Sequence, residues 1–317
     1  MIAAVGLAVA AAVLGFAAPR WLSLLAAPHR HPRVALAAWL SSQVLFVAVV
    51  AAVPLVLWMR PGDRWHLLPA STLSCVNSLR RNGTVPWFSA VEATFWAVGL
   101  LVLGRIVVVV SRALLRHRRV TAEHASVLRL VGRPTGADGG DVFHLAGHGG
   151  AAYSIGGRTP AIVLGSGAIA LEPSARAAVL AHERAHLTGR HHLLVAWAGA
   201  LHAAVPVLPL ARVGATWIRV LVELSADRHA AASCGSGAVC AALESWPGEA
   251  RDARPAAMSA AGFVEDRVVW LSGSRASRRG AQALHYPLAL TLSALPVLTV
   301  FSGVVAAFAA YCAMLGA

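Results

Sequence analysis

Within the run Ala181-His182-Glu183-Arg184-Ala185-His186, two imidazoles stand four residues apart with a carboxylate beside the first. On a helix that spacing sets His182 and His186 one turn apart on one face, where both can bind a single Zn²⁺. Glu183 then lies next to the metal. There it can take a proton from a water whose pKa the zinc has lowered, and pass that proton to a leaving amine, which is the chemistry of peptide hydrolysis.

The flanking residues supply a helix for this pattern and a third ligand for the metal. Upstream, Pro173-Ser174-Ala175-Arg176-Ala177-Ala178-Val179-Leu180 opens a helix with Ser174 as its expected N-cap and Ala178 and Val179 in its apolar stripe. Downstream, a second helical stretch is expected from Thr216 to Ala232, and in it Glu223 and Asp227 share one face. Glu223 as a ligand would place Asp227 one turn away, able to accept the free N–H of a ligand histidine and fix its tautomer. A competing third ligand is His192, because residues 182–192 also satisfy HExxHxxGxxH, in which the glycine breaks the helix and the last histidine completes the site. That pattern needs a Met-turn, for which Met258 is the available methionine, whereas Leu193 to Ala200 read as continuing apolar helix. Both assignments stay open at this level, with His191 and His192 otherwise a polar edge between the two helices.

These residues must be held by a chain that reads as a membrane protein. Of 317 residues, 57% are hydrophobic and 13% charged, against about 25% charged in soluble domains. Four apolar stretches reach the roughly 20 residues a span requires: Ile2 to Ala18, Val34 to Trp58, Val91 to Ser111 and Tyr286 to Leu315. The first lacks a basic leader and runs into Pro19-Arg20, so it reads as a retained anchor with its N-terminus outside. Trp39, Trp58, Trp96 and Tyr286 fall near segment ends, where aromatic belts sit. The expected organisation is three N-terminal transmembrane helices in 1–111, a cytoplasmic zinc peptidase domain in 112–285, and a C-terminal transmembrane helix in 286–317. The fold class is thus mainly α, with an inserted α+β gluzincin-type domain.

The basic residues number 27 and all are arginine, since the chain contains no lysine. A P-loop, a Ser-x-x-Lys acyl-enzyme and a Schiff-base site all need one, so an ATP-driven protease and an acylated β-lactam sensor are excluded for this chain alone. Arg20, Arg30 and Arg33, with Arg112, Arg116, Arg118 and Arg119, outweigh Arg60, Arg64, Arg80 and Arg81 on the other side, which favours a cytoplasmic catalytic domain. The net charge of +13 is then mostly juxtamembrane arginine facing anionic lipid, and no direct nucleic-acid binding is expected. Arg105 is expected to snorkel to the cytoplasmic interface, the alternative being a contact with the catalytic domain.

Leu193 to Leu210 is apolar enough for a further span, yet a single crossing would separate Glu223 from both histidines. A partly inserted helix that bends back to the catalytic side is expected instead, with His202 a satisfied interface residue. Val127 to Val131, Val142 to Leu145 and Ala161 to Leu164 read as short strands between Gly, Pro and Asp clusters, with His144 and His148 as loop residues. Ala161 to Leu164 is the expected edge for pairing with an extended substrate. Cys75, Cys234, Cys240 and Cys312 show no metal spacing and no structural disulfide is expected. Arg228, His229 and His285 are weak candidates for an oxyanion partner.

The order Tyr153-Ser154-Ile155-Gly156-Gly157-Arg158, Ala161 to Gly167, Ala178 to His186 and Glu223-Leu224-Ser225-Ala226-Asp227 resembles that of integral-membrane gluzincin peptidases. Two groups are similar: the BlaR/MecR-type antirepressor peptidases, and the HtpX and CAAX-endopeptidase group. The resemblance covers about residues 112–245. It implies one Zn²⁺ held by His182, His186 and Glu223, Glu183 as general base and acid, and Asp227 orienting a ligand histidine. The placing of spans favours the BlaR/MecR type, here without an appended sensor domain. Its implied substrate is a cytoplasmic repressor or another membrane-proximal protein. The alternatives are an HtpX-like quality-control protease and a non-proteolytic zinc-binding membrane adaptor, and the oligomeric state is open.

Overall fold

The computed structural model describes residues 2–25, 31–58, 87–135, 141–146, 152–245, 267–268, 270–271 and scattered positions from 287 to 306. Three helices form the apolar part: α1 (Ile2–Leu25), α2 (Pro32–Trp58) and α3 (Trp87–Val131). By length and composition each can cross a membrane. The fourth expected span lies largely outside the described residues; the described positions between Pro287 and Ala306 are helical. α1 does not stop before Pro19 but continues through it to Leu25. Leu22, 1% exposed, is buried against the bundle, and that packing outweighs the one backbone hydrogen bond that proline removes.

At 45 residues α3 extends roughly 68 Å at 1.5 Å per residue, about twice the hydrocarbon thickness of a bilayer. Its last turns include Val127 to Val131, which are helix and not the expected strand. No glycine or proline occurs between Gly104 and Gly132, and Ala125 and Leu128, one turn apart, bury themselves on the sheet while Val127, Leu130 and Val131 stay exposed. Burial at helical spacing overrides the strand propensity of the β-branched residues there.

The sheet contains β1 (Arg133–Pro134), β2 (Val142–Leu145), β3 (Ala152–Ile155) and β4 (Ala161–Gly165) in the order β1-β2-β4-β3. β4 is parallel to β2 and antiparallel to β3. It is therefore an interior strand, with all five residues buried, and cannot offer the free edge expected of it. β3 is the edge. His144 lies within β2, its Nε2 3.4 Å from Ser166 Oγ, whereas His148 is outside the described residues.

A short helix α4 (Ser166–Ile169) leads to α5 (Pro173–Thr188), α6 (His191–Ala204), α7 (Pro209–Cys234) and α8 (Ser236–Glu244). Ile162 and Leu164 of β4 face the Ala175-Val179-Leu180 stripe of α5, while Ala161 and Val163 face the end of α3. On its other side α5 packs through Ala178 against Val220 and Leu224 of α7.

α6 and α7 form a hairpin that enters the bundle and returns, as the topological argument requires. Leu201, Leu210, Ile218 and Leu221 share one core with Leu14, Leu22, Trp39 and Phe46. Gly15, midway along α1, makes room for the hairpin turn, since a Cβ there would lie 2.5 Å from Leu208 Cδ2. Trp39 is 1% exposed and stacks on Trp217 at 6.5 Å, so it is a bundle contact rather than an interfacial anchor. Inside the bundle Gln43 donates to the carbonyl of Leu210 at 3.4 Å. His202 is not satisfied as expected, because its Nδ1 is buried without a hydrogen-bond partner among the described residues.

Arg105 does not snorkel. Its Nε donates to the carbonyl of Ala204 at 2.5 Å and its Nη2 to that of Ala203 at 3.3 Å. The last carbonyls of a helix have no partner within it and carry partial negative charge, so a guanidinium is an apt cap. Twelve residues along α3, His117 stacks on His192 at the other end of α6, ring centroids 5.6 Å apart.

Replacing Arg105 with leucine should leave those carbonyls without this partner at the end of α6. A loss of about 1–3 kcal/mol is expected, read as a lower thermal midpoint of the detergent-solubilised protein; an unchanged midpoint would show that the cap contributes nothing.

Candidate metal centre

α5 begins at Pro173, whose missing N–H costs nothing at the first helical position. Its N-cap is Glu172 rather than Ser174: the Glu172 carboxylate accepts from both the backbone N–H and the hydroxyl of Ser174. Proline takes the first helical position and moves Ser174 into the first turn. The helix ends at Gly189, where HExxHxxGxxH expects a break. There Arg190 adopts a left-handed conformation (φ 49°), and α6 starts at His191. The third histidine of that pattern does not reach the site. His192 instead stacks on His117 and lies over the backbone of Gly156, where a Cβ would sit 2.1 Å from its Cε1.

Glu223 comes in its place. His182, His186 and Glu223 converge, each offering one ligand atom within 4.8 Å of the others, and form a group that could hold a metal ion. His182 Nε2 lies 3.0 Å from His186 Nε2 and 3.4 Å from Glu223 Oε2, and His186 Nε2 is 3.6 Å from Glu223 Oε1. Ligand atoms at about 2.1 Å from a tetrahedral ion stand roughly 3.3 Å apart, so these three fit one ion and leave a fourth position open. Glu183, on the same helix, is 9% exposed.

The other nitrogen of each imidazole is also engaged. Asp227, fully buried, approaches His182 Nδ1 at 2.9 Å. Asp227 in turn accepts two hydrogen bonds of 2.6 Å from Arg267 Nε and Nη2, and Arg267 Nη2 lies 4.0 Å from Glu223 Oε2. His186 Nδ1 faces His191 Nδ1 at 3.1 Å. Neither Arg267 nor His191 was anticipated as part of the site. Arg267 stands 40 positions beyond Asp227 in no spacing pattern, while the adjacent pair His191-His192 drew attention to the wrong member.

Electrostatics follow from these contacts. Burial opposes a charge on His182, but hydrogen bonds and attraction from Asp227 and Glu223 outweigh it and raise the imidazole to about 10. Burial would raise Glu223, yet the His186 charge and the His182 hydrogen bond hold it well below the usual carboxylate range. Asp227 is lowered despite burial by Arg267 and His182, and Arg267 is raised in return. His191 is pushed down to about 3 by burial and by the neighbouring His186 charge, so it is neutral.

Of the oxyanion candidates, Arg228 feels the charge of Arg33 at the start of α2, and His285 lies outside the described residues. Cys234 and Cys240 are free, and Cys75 and Cys312 are likewise outside those residues. No family model matches the chain, and neither the curated proteins nor the solved structures contain a match.

A metal must displace the proton that the carboxylates hold on His182. Metal affinity should therefore rise with pH, about tenfold per unit across neutrality for that one proton, in a competition titration between pH 6 and 8; a flat profile would contradict the proton count. Arg267→Gln removes one half of a buried ion pair and should cost about 3–5 kcal/mol, visible as a lower thermal midpoint even in excess EDTA.

Proposed function

We propose that this chain is a membrane-bound zinc endopeptidase of the gluzincin type, acting on a protein at the cytoplasmic membrane surface. The observation that carries the reading is the convergence of His182, His186 and Glu223 into one group able to hold a metal ion, with Glu183 next to His182 on α5. His182 and His186 would hold the ion through Nε2 and Glu223 through its carboxylate. Their nitrogen and oxygen donor set, without thiolate, suits zinc. Zinc bound there supplies Lewis acidity, polarising a peptide carbonyl and easing the ionisation of water.

The chain's own groups do the rest. Glu183 accepts the proton of the attacking water and returns it to the nitrogen of the departing amine. Asp227 keeps the proton of His182 on Nδ1 and so leaves Nε2 free to bind, and Arg267 holds Asp227 in place. An extended substrate would add at β3, an edge strand that packs beside α5.

Position along the helices supports a site at the membrane surface. From Leu208 at the turn to Glu223 is roughly 22 Å of helix, whereas α1 continues only about 15 Å from Gly15 to Leu25. The metal ligands thus emerge just past the ends of the spans. Arg20, Arg33, Arg112, Arg116, Arg118 and Arg119 lie at that end, which favours a cytoplasmic face and an N-terminus outside. A repressor cleaved in a BlaR/MecR-like pathway is the substrate we favour; membrane-protein quality control of the HtpX kind is the alternative. A zinc-binding adaptor without proteolysis is disfavoured by the intact Glu183.

The test is zinc content, together with cleavage of a co-expressed repressor and of an unfolded reporter protein, by the detergent-purified chain. Wild type should carry one zinc, Glu223→Ala should lose it and His192→Ala should keep it. Glu183→Gln should retain zinc and lose about 10²–10⁴-fold in rate. Zinc lost with His192→Ala would refute the ligand set, and zinc without Glu183-dependent cleavage would favour the adaptor.

A further inference from the structure

The two ligand histidines are backed differently. His182 meets an anionic carboxylate, but His186 Nδ1 meets another imidazole nitrogen, His191 Nδ1, at 3.1 Å. Two like nitrogens at that distance share one proton: one must donate and the other accept. His186 Nε2 points at the ligand cluster, 3.0 Å from His182 Nε2, so for metal binding its lone pair must be there and its proton on Nδ1. His191 must then present an unprotonated Nδ1 and carry its own proton on Nε2.

The local fold is built to hold His191 in that position. It is the first residue of α6 and 6% exposed, with its ring perpendicular to that of His186 and centroids 4.9 Å apart. The turn from α5 is only two residues long, and a Cβ on Gly189 would stand 2.4 Å from His191 Nε2, so glycine is what lets the ring close over the helix end. Arg190 at positive φ completes the turn and starts α6 with its first side chain aimed back at the last turn of α5.

We infer that His191 is a positioning residue, a neutral acceptor that fixes the ring and tautomer of the second metal ligand. This rests on the metal-site reading above. Its consequence is an asymmetric centre, in which Asp227 lends negative charge to His182 while His191 lends orientation alone to His186. More negative charge on the ligands would weaken the Lewis acidity of the ion, and a neutral second partner avoids that.

Two substitutions separate an acceptor from a filler. His191→Asn keeps an oxygen close to the position of Nδ1, and His191→Phe keeps the ring shape without any acceptor. Zinc affinity by chelator competition should fall about 10–100-fold in His191→Phe and stay within about threefold of wild type in His191→Asn. The visible bands of the cobalt-substituted protein should shift in the first variant only. Thermal midpoints in EDTA report the fold; if His191→Phe does not fold, His191→Gln, which moves the acceptor by one carbon, takes its place with the same expected loss. Equal zinc affinity in His191→Phe and wild type overturns the inference while leaving the metal site intact. Equal losses in His191→Phe and His191→Asn also overturn it, since packing alone would then explain them. A wild type that binds no zinc overturns both readings.

Discussion

Two imidazoles on α5 and a carboxylate on α7 can meet only because the apolar chain between them turns back on itself. The α6–α7 hairpin answers that constraint, and much of the remaining architecture serves to keep it in place. Its tip needs a glycine on α1 opposite Leu208, and its return limb needs Gly214 where the chain passes Gln43 and Trp39. Its first limb ends in carbonyls that apolar surroundings would leave unpaired, and Arg105 meets them from α3. The hairpin is thus stabilised by close backbone approach and a few polar contacts.

At the ligand end the governing interaction changes from packing to charge balance. Glu223 and Asp227 bring two carboxylates to one face of α7, and among the described residues Arg267 and the imidazoles offset them. A buried carboxylate without such a partner would be protonated instead. Arg267 therefore ties the chain beyond residue 266 to the middle of α7. The neighbouring Trp270 and Leu271 join the α5–α7 core and support the same attachment.

How far this could be read in the sequence depends on the range of the interaction. The i,i+4 relations His182–His186 and Glu223–Asp227 follow from helix geometry and were legible, as was the need for a returning hairpin. Two of the three expected strands form, but Val127 to Val131 were misassigned because their composition suits a strand while their burial follows the helix already under way. The sheet order could not be read from short runs, and it makes β4 an interior strand. Arg267 and His191 were missed, and the contact of Arg105 with 112–285 stood only as the alternative, for one reason: each acts through tertiary packing, which leaves no trace in local spacing.

The pairing of α3 with α6 has a mechanical meaning. Twelve residues separate Arg105 from His117 on α3, and about the same number separate His192 from the carbonyls of Ala203 and Ala204 on α6, so two antiparallel helices are pinned at both ends of a shared segment. α3 starts at Trp87, at the end of the bundle away from the metal ligands, and continues without a break to the sheet. A push or twist applied at its far end is carried along one unbroken helix, past Gly99 and Gly104, to α6, whose first residue touches His186. α3 is in that sense a single continuous rod, joining the far end of the bundle to the helix that carries His191.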